Sequence, residues 1–282
     1  MKVKKFCDKL IVEDENFDIK SILECGQIFS FKTTNDSDYI VESMGKFASI
    51  TKLDTCTIIN TKDIEYFYNF FDFDTDYDDI KGRILKLCPF FSNLKMRQLR
   101  ILKQDAYQTI ISFIVSQNNN IKRIKKILNS ISYEFGSYNK KYDMYSFPTL
   151  EQLKRATQDD FKRLGAGYRS EYLVKAILSL SAEDFDIEKL KSLDTSSLKK
   201  KLRTIHGIGP KVADCILFFG FGRTDVFPVD TWIRKGYSMF CQEKRSDEQI
   251  SEYFVNIFKD LSAFAQQYLY DYMLNQNQKD NK

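Results

Sequence analysis

The chain of 282 residues has one histidine, His206, and one tryptophan, Trp232. A single histidine leaves almost no room for a Ser-His-Asp relay or a histidine-ligated metal. The six cysteines, Cys7, Cys25, Cys56, Cys88, Cys215 and Cys241, contain no C-x-x-C pair and no cluster. That spacing argues against a zinc site or an iron–sulfur cluster, and a disulfide framework is not expected in a chain of this size. No run of 18 apolar residues exists, so no membrane span is predicted. The opening segment MKVKKFCDKLIVEDENFD turns acidic before any long apolar run and does not read as a signal peptide, which predicts a cytoplasmic protein. There is no internal repeat and no low-complexity segment.

What the chain does have is aromatic residues, 24 Phe and 16 Tyr, and an uneven charge distribution. Residues 1–100 carry 15 basic and 17 acidic side chains; residues 101–235 carry 23 and 15; the last 47 carry 5 and 7. The net charge of +4 therefore hides a basic middle block of +8, a footprint that fits a polyanionic partner as well as a solvated helical surface.

Periodicity divides the chain at about residue 104. Residues 27–32, 39–43, 46–51 and 56–60 alternate or carry β-branched and aromatic residues, with Asn35-Asp36, Gly45 and Asp54 as turn formers between them. An antiparallel sheet domain is expected there, followed by a helix over 62–71 and an acidic connector, 72–80. From residue 105 the pattern is helical. Asp105, Thr157, Asp194, Asp230 and Ser246 are expected N-caps, a short helix starts at Pro148-Thr149, and Tyr168 opens another. Ile121, Ile124, Ile127, Leu128, Ile131 and Phe135 share one helical face. The last helix is expected over roughly 263–275, with a frayed polar tail, NQNQKDNK. The predicted fold class is α+β, with an N-terminal antiparallel-sheet domain over 1–104 and a mostly helical region over 105–282.

One stretch carries chemistry. SSLKKKLRT-IHGIG-PKVADCILFFG reads as helix, tight turn, helix over about 196–221. Gly207 and Gly209 leave space for backbone N–H groups to approach an anion, and Pro210 suits a first helical turn. This is the form of a helix-hairpin-helix that grips a DNA phosphate without reading sequence; a glycine turn between two packed helices is the ordinary alternative. Lys211 falls in the first turn of the second helix, where the helix dipole disfavours a cation. It is therefore expected to titrate below a free lysine and to serve as an amine nucleophile; a plain phosphate-binding lysine is the alternative. Nineteen residues on, Asp230 stands at a helix start, where it can cap and also face Lys211 as an ionised carboxylate.

GIGPKVADC followed by FPVD resembles the helix-hairpin-helix DNA glycosylases. ECGQIFSF (24–31), FIVSQNNNIKRI (113–124), LGAGYRSEYL (164–173) and AFAQQYLY (263–270) resemble, in the same order, the bifunctional 8-oxoguanine DNA glycosylase/AP lyases of that superfamily. The resemblance implies a base-excision-repair enzyme that flips 8-oxoguanine out of double-stranded DNA and removes it through a Lys211 Schiff base. It then cleaves the strand by β-elimination. It implies that Asp230 stabilises the oxocarbenium-like transition state. Gly26 would offer its carbonyl to the N7–H of the oxidised base, Gln266 would bond the base edge, and Cys215 and Tyr270 would sandwich the ring. Asn118 would fill the gap left by flipping, Tyr168 would wedge beside the opposite base, and Arg123 and Arg169 would bond the estranged cytosine, which predicts a preference for cytosine opposite the lesion. No cofactor is required; a structural monovalent or calcium ion at hairpin carbonyls near 203–208 is admitted, and a monomer is expected.

Two residues depart from the animal enzymes of that family: Trp232 stands where they have a phosphate-touching histidine, and Tyr270 where they have Phe. A glycosylase of different lesion range and a non-catalytic DNA-binding hairpin stay open as alternatives. The endonuclease III-like branch usually adds a C-terminal four-cysteine cluster, and this chain has no cysteine after Cys241.

Overall fold

The computed structural model describes residues 1–35, 38–183 and 185–280. Among these, six strands form one antiparallel sheet in the order β1 (Lys2–Lys5), β2 (Lys9–Glu13), β6 (Thr57–Asn60), β5 (Lys46–Lys52), β4 (Asp38–Ser43), β3 (Phe31–Thr33). The register aligns Leu10, Ile59, Ile50 and Tyr39 in one row across four strands. All four are at most 2% exposed, so this row is the spine of the sheet's buried face. It packs on α1 (Ile19–Glu24) and α2 (Ile64–Phe70), whose Ile22, Leu23, Phe67 and Phe70 are buried against it.

The α+β class is as expected, with local corrections. β1 and β2 extend the sheet beyond the strands expected. The segment 27–32 is not a strand up to Phe31; it is an irregular passage after α1, fixed by the buried Gln27. Of the turn formers, Asp36 lies outside the described residues. The acidic connector ends early, because Asp76 caps α3 (Tyr77–Leu87) by accepting from the Asp78 and Asp79 amides.

The helical region follows with α4 (Ala106–Ser116), α5 (Ile121–Phe135), a small hairpin of β7 (Tyr138–Asn139) and β8 (Met144–Tyr145), α6 (Leu150–Leu153), α7 (Gln158–Arg163), α8 (Arg169–Leu180), α9 (Ile187–Lys191), α10 (Thr195–Leu202), α11 (Pro210–Phe221), α12 (Thr231–Phe240), α13 (Asp247–Phe258) and α14 (Ser262–Asp280). The expected caps form. Asp105, Thr157, Asp194, Asp230 and Ser246 each accept a backbone N–H from the first turn of their helices. The polar tail expected to fray continues α14 to Asp280; residues 281–282 lie outside the described residues.

Two cores share this region. One gathers the inner faces of α4, α5, α8, α10 and α11. The other joins Ile80, Ile84, Phe91 and Leu99 to Phe227, Phe254, Phe258 and Leu269, so residues 77–99 pack with the last three helices rather than with the sheet. A cleft is left where the chain after α1 meets α4, α11, α12 and α14.

Candidate active site

The hairpin between α10 and α11 is built as its glycines suggest, but the two glycines do different work. Gly207 has φ +89°, and a β-carbon there would lie 2.5 Å from Cγ of Tyr172. It permits the turn and the close packing of α8. Gly209 has φ −81°, and a β-carbon added to it would meet nothing within 4 Å, so it leaves the start of α11 open to approach. No side chain caps α11, so its first N–H groups are available to an anion. Lys199 on α10 meets the buried Asp214 on α11 at 2.6 Å and ties the two helices together.

α11 projects three residues at i, i+4 and i+8 into the cleft: Lys211, Cys215 and Phe219. Phe219 stacks on Phe113 of α4 at 5.4 Å with 6° between the planes, and the Lys211 ammonium lies 5.9 Å from the Phe113 ring centre. Asp230 caps α12 through Oδ1, 2.9 Å from the Ile233 amide. Its Oδ2 has no hydrogen-bond partner among the described residues, so one oxygen holds the helix and the other remains for the cleft.

The charge state of Lys211 corrects the expectation. Burial alone pushes its pKa down and is the largest single influence. The Cys215 sulfur and the Asp230 carboxylate together outweigh it, and the net shift is upward. The Cys215 thiol is itself pushed up to about 11, chiefly by burial. The net direction for Lys211 is thus towards its ammonium form, beside the Asp230 carboxylate.

The opposite wall comes from the end of α1 and from α14. Gly26, at φ +80°, faces Tyr270 so closely that a β-carbon would lie 3.3 Å from the ring and from the hydroxyl. Two clamps hold this segment. Gln27 donates to the carbonyls of Ile22 and Arg100, both at 2.8 Å, and accepts from the Leu102 amide at 2.9 Å. Gln267 donates to the Cys25 carbonyl at 3.0 Å. Next to it, Gln266 is 6% exposed and its Oε1 has no partner among the described residues. A buried, unsatisfied amide oxygen in a cleft is an acceptor waiting for a donor. Both glutamines line the cavity, but only Gln267 also holds the wall, through the Cys25 carbonyl. Arg97 and the buried Asp271 form a two-pronged pair that anchors α14 one residue beyond Tyr270.

Gly26, Asn118, Tyr168, Lys211, Cys215 and Asp230 line one cavity of about 550 Å³, together with Trp232, Gln266 and Tyr270. Asn118 and Tyr168 stand at its edge, whereas neither Arg123 nor Arg169 lines it. Asn118 is left-handed, φ +45°. Tyr168 is 52% exposed, with its hydroxyl 3.3 Å from the Gln117 carbonyl. The two arginines differ. Arg123 is exposed, with one bond to the Gly165 carbonyl at 3.4 Å. Arg169 is 2% exposed and commits its guanidinium to the carbonyls of Gln117, Asn118 and Ala166. Here it fastens the loop that presents Asn118. The charge that Trp232 lacks is supplied next door, where the Lys235 ammonium lies 4.7 Å from its ring centre. Phe113, Phe219 and the Arg234–Asp247 pair at 2.8 Å join the site without having been singled out in the sequence; only the four-residue spacing of Lys211, Cys215 and Phe219 announces one of them. Among the described residues no group of three or more His, Cys, Asp or Glu could hold a metal ion, and no helix is long and apolar enough to cross a membrane.

Residues 9–110 match the model of the 8-oxoguanine DNA glycosylase N-terminal domain, and residues 111–260 match that of the HhH-GPD superfamily base excision DNA repair proteins. The structure of the Clostridium acetobutylicum 8-oxoguanine glycosylase/lyase, bound to double-stranded DNA with cytosine opposite 8-oxoguanine, superposes with a TM-score of 0.87 at 33% identity. It covers 98% of this chain and 99% of that one. The chain belongs to the 8-oxoguanine glycosylase/lyase branch of the HhH-GPD superfamily. Among the curated members of this family, the Saccharomyces cerevisiae N-glycosylase/DNA lyase is 34% identical over 159 residues, 51% of this chain and 42% of that protein's length. A probable N-glycosylase/DNA lyase of Methanothermobacter thermautotrophicus is 28% identical over 233 residues, 74% of this chain and 73% of that one.

Proposed function

We propose that the protein excises 8-oxoguanine from double-stranded DNA and then nicks the strand, using Lys211 as the nucleophile. One observation carries this reading: an amine, a carboxylate with a free oxygen, a thiol, an aromatic ring and an unpartnered amide oxygen converge on one cavity. Lys211, once deprotonated, attacks C1′ of the flipped nucleotide. The glycosidic bond breaks and the base leaves with its electron pair. Asp230 offsets the positive charge that builds on the sugar, an electrostatic role suited to a carboxylate held by its own helix cap. The amine then loses a proton and the sugar ring opens, the C1′–O4′ bond breaking as O4′ takes up a proton, to give an imine; this acidifies C2′–H, loss of that proton expels the 3′ phosphate, and water releases Lys211 from an unsaturated aldehyde.

The base would lie between Cys215 and Tyr270. The Gly26 carbonyl accepts N7–H, which guanine lacks; guanine would set two acceptors face to face in a dry pocket, a mismatch large enough to discriminate. The Gln266 amide bonds the opposite base edge. Arg123 reads the estranged cytosine, and Arg169, in reaching for it, would have to release the loop carbonyls it holds. The hairpin N–H groups beside Gly207 and Gly209 take a phosphate, and carbonyls near 203–208 would hold a structural monovalent or calcium ion. The protein is expected to act as a monomer, in the cytoplasm.

The test is borohydride trapping on a duplex with one 8-oxoguanine opposite cytosine, with Lys211→Gln as control. A covalent adduct in wild type alone is expected. Base release without any adduct would overturn the Schiff-base step; neither adduct nor release would overturn the substrate.

A further inference from the structure

Much of the basic charge in the middle block is neutralised locally. Lys154, Lys162, Lys175 and Lys191 pair with Glu151, Asp159, Glu171 and Glu188 at 2.5–3.0 Å, each within about one helical turn. The start of α5 is different. Lys122, Arg123, Lys125 and Lys126 fall within its first six residues, and among the described residues none of them has a carboxylate at ion-pair distance. Cations three and four positions apart on a helix repel one another. The fold maintains this repulsion, and a polyanion lying over α5 would relieve it.

These lysines border an open groove of about 1030 Å³ between α5 and the β3 edge of the sheet. Lys125 belongs to its wall: the ammonium lies 3.4 Å from the Phe31 ring centre, and burial pushes its pKa down against the pull of Glu24, the carboxylate on the α1 side. Lys122 and Lys126 lie one turn apart on the groove side. At the far end Tyr133 is 66% exposed, edge-on to Tyr145 at 5.0 Å. Ile121, at the start of α5, lines both this groove and the 550 Å³ cavity, so the two adjoin at that residue.

We propose that this groove extends the DNA-binding surface, taking the phosphodiester backbone that flanks the lesion pair, with Lys122 and Lys126 as phosphate contacts and Tyr133 at its outer end. The inference rests on the proposed function for the identity of the polyanion. Arg123 stands on the same first turn and is exposed, so a strand that passes it along α5 also meets Lys122 and Lys126.

The double variant Lys122→Gln/Lys126→Gln tests this by binding to 8-oxoguanine:cytosine and undamaged duplexes over a salt series. Losing two phosphate contacts should make the slope of log affinity against log salt shallower by about 2 on both duplexes. The advantage of wild type over variant should then fall about tenfold between 50 and 200 mM salt. The single-turnover excision rate at saturating DNA and the ratio of damaged to undamaged affinity should not change. An unaltered slope would overturn the proposal, and so would a lost single-turnover rate, which would move the lysines into the lesion site. If wild type binds duplex DNA but excises no 8-oxoguanine, the functional reading fails while the slope on undamaged duplex still decides the groove.

Discussion

The ring of Tyr172 lies against Gly207 so closely that a β-carbon on the glycine would approach Cγ of the ring to 2.5 Å. α8 and the hairpin are therefore in register through a residue that admits no side chain. Gly207→Ala combines that clash with a φ of +89° and should cost about 2–4 kcal/mol of stability. Gly209→Ala, at φ −81° in open space, should leave stability within about 0.5 kcal/mol and yet weaken duplex binding, because the methyl stands over the N–H groups at the start of α11. Thermal melts and duplex titrations of both variants separate the two roles. Equal melting temperatures would refute the structural assignment of Gly207.

The neighbouring glutamines of α14 should respond oppositely to loss of their amides. Gln267→Leu orphans the buried Cys25 carbonyl and should destabilise by about 1–3 kcal/mol. Gln266→Leu removes an oxygen that has no partner among the described residues, so stability should hold or rise while single-turnover excision falls. The paired readout is urea unfolding and excision rate. A Gln266→Leu protein of full activity would remove that amide from base recognition.

Glu42 gives the fold a pH dependence of definite sign. Burial pushes its pKa up to about 7, against hydrogen bonds from the Gly45 amide at 2.8 Å and Gln108 at 3.4 Å. The unfolded chain releases this proton near 4.5 and the folded one near 7. Its contribution is thus full below about pH 4.5 and is lost as pH rises through 7, a change of about 3 kcal/mol at most. Glu42→Gln should show none of that loss, so the stability difference between variant and wild type should move in favour of the variant from about pH 5 to about pH 8. A constant difference across that range would show that Glu42 does not titrate there.

Much of this architecture is legible locally. A cap needs only its own helix start, and Asp105, Thr157, Asp194, Asp230 and Ser246 all cap as read. The face of α5 is equally plain, with Ile124, Ile127, Leu128 and Ile131 buried. What escapes depends on partners distant in sequence. β2 is a strand because it pairs with β6, far along the chain. The alternation of 27–32 imitates a strand because Gln27, polar and fully buried, finds its bonds at residues 22, 100 and 102. The pKa of Lys211 runs against expectation on two counts: Cys215, the larger raising influence, lies one turn on in the same helix, and Asp230 comes near only when α12 folds back beside α11. The glutamine pair of α14 needs the position of α1 before its two members can be told apart.

Gly209 and Lys211 are two residues apart at the head of one helix. Whatever phosphate the open end of α11 receives, the amine stands at a distance from it set by two peptide units and one side chain. The hairpin is then a gauge as well as a grip. In the reaction proposed above, a nucleotide seated one step out of place would bring no sugar to Lys211.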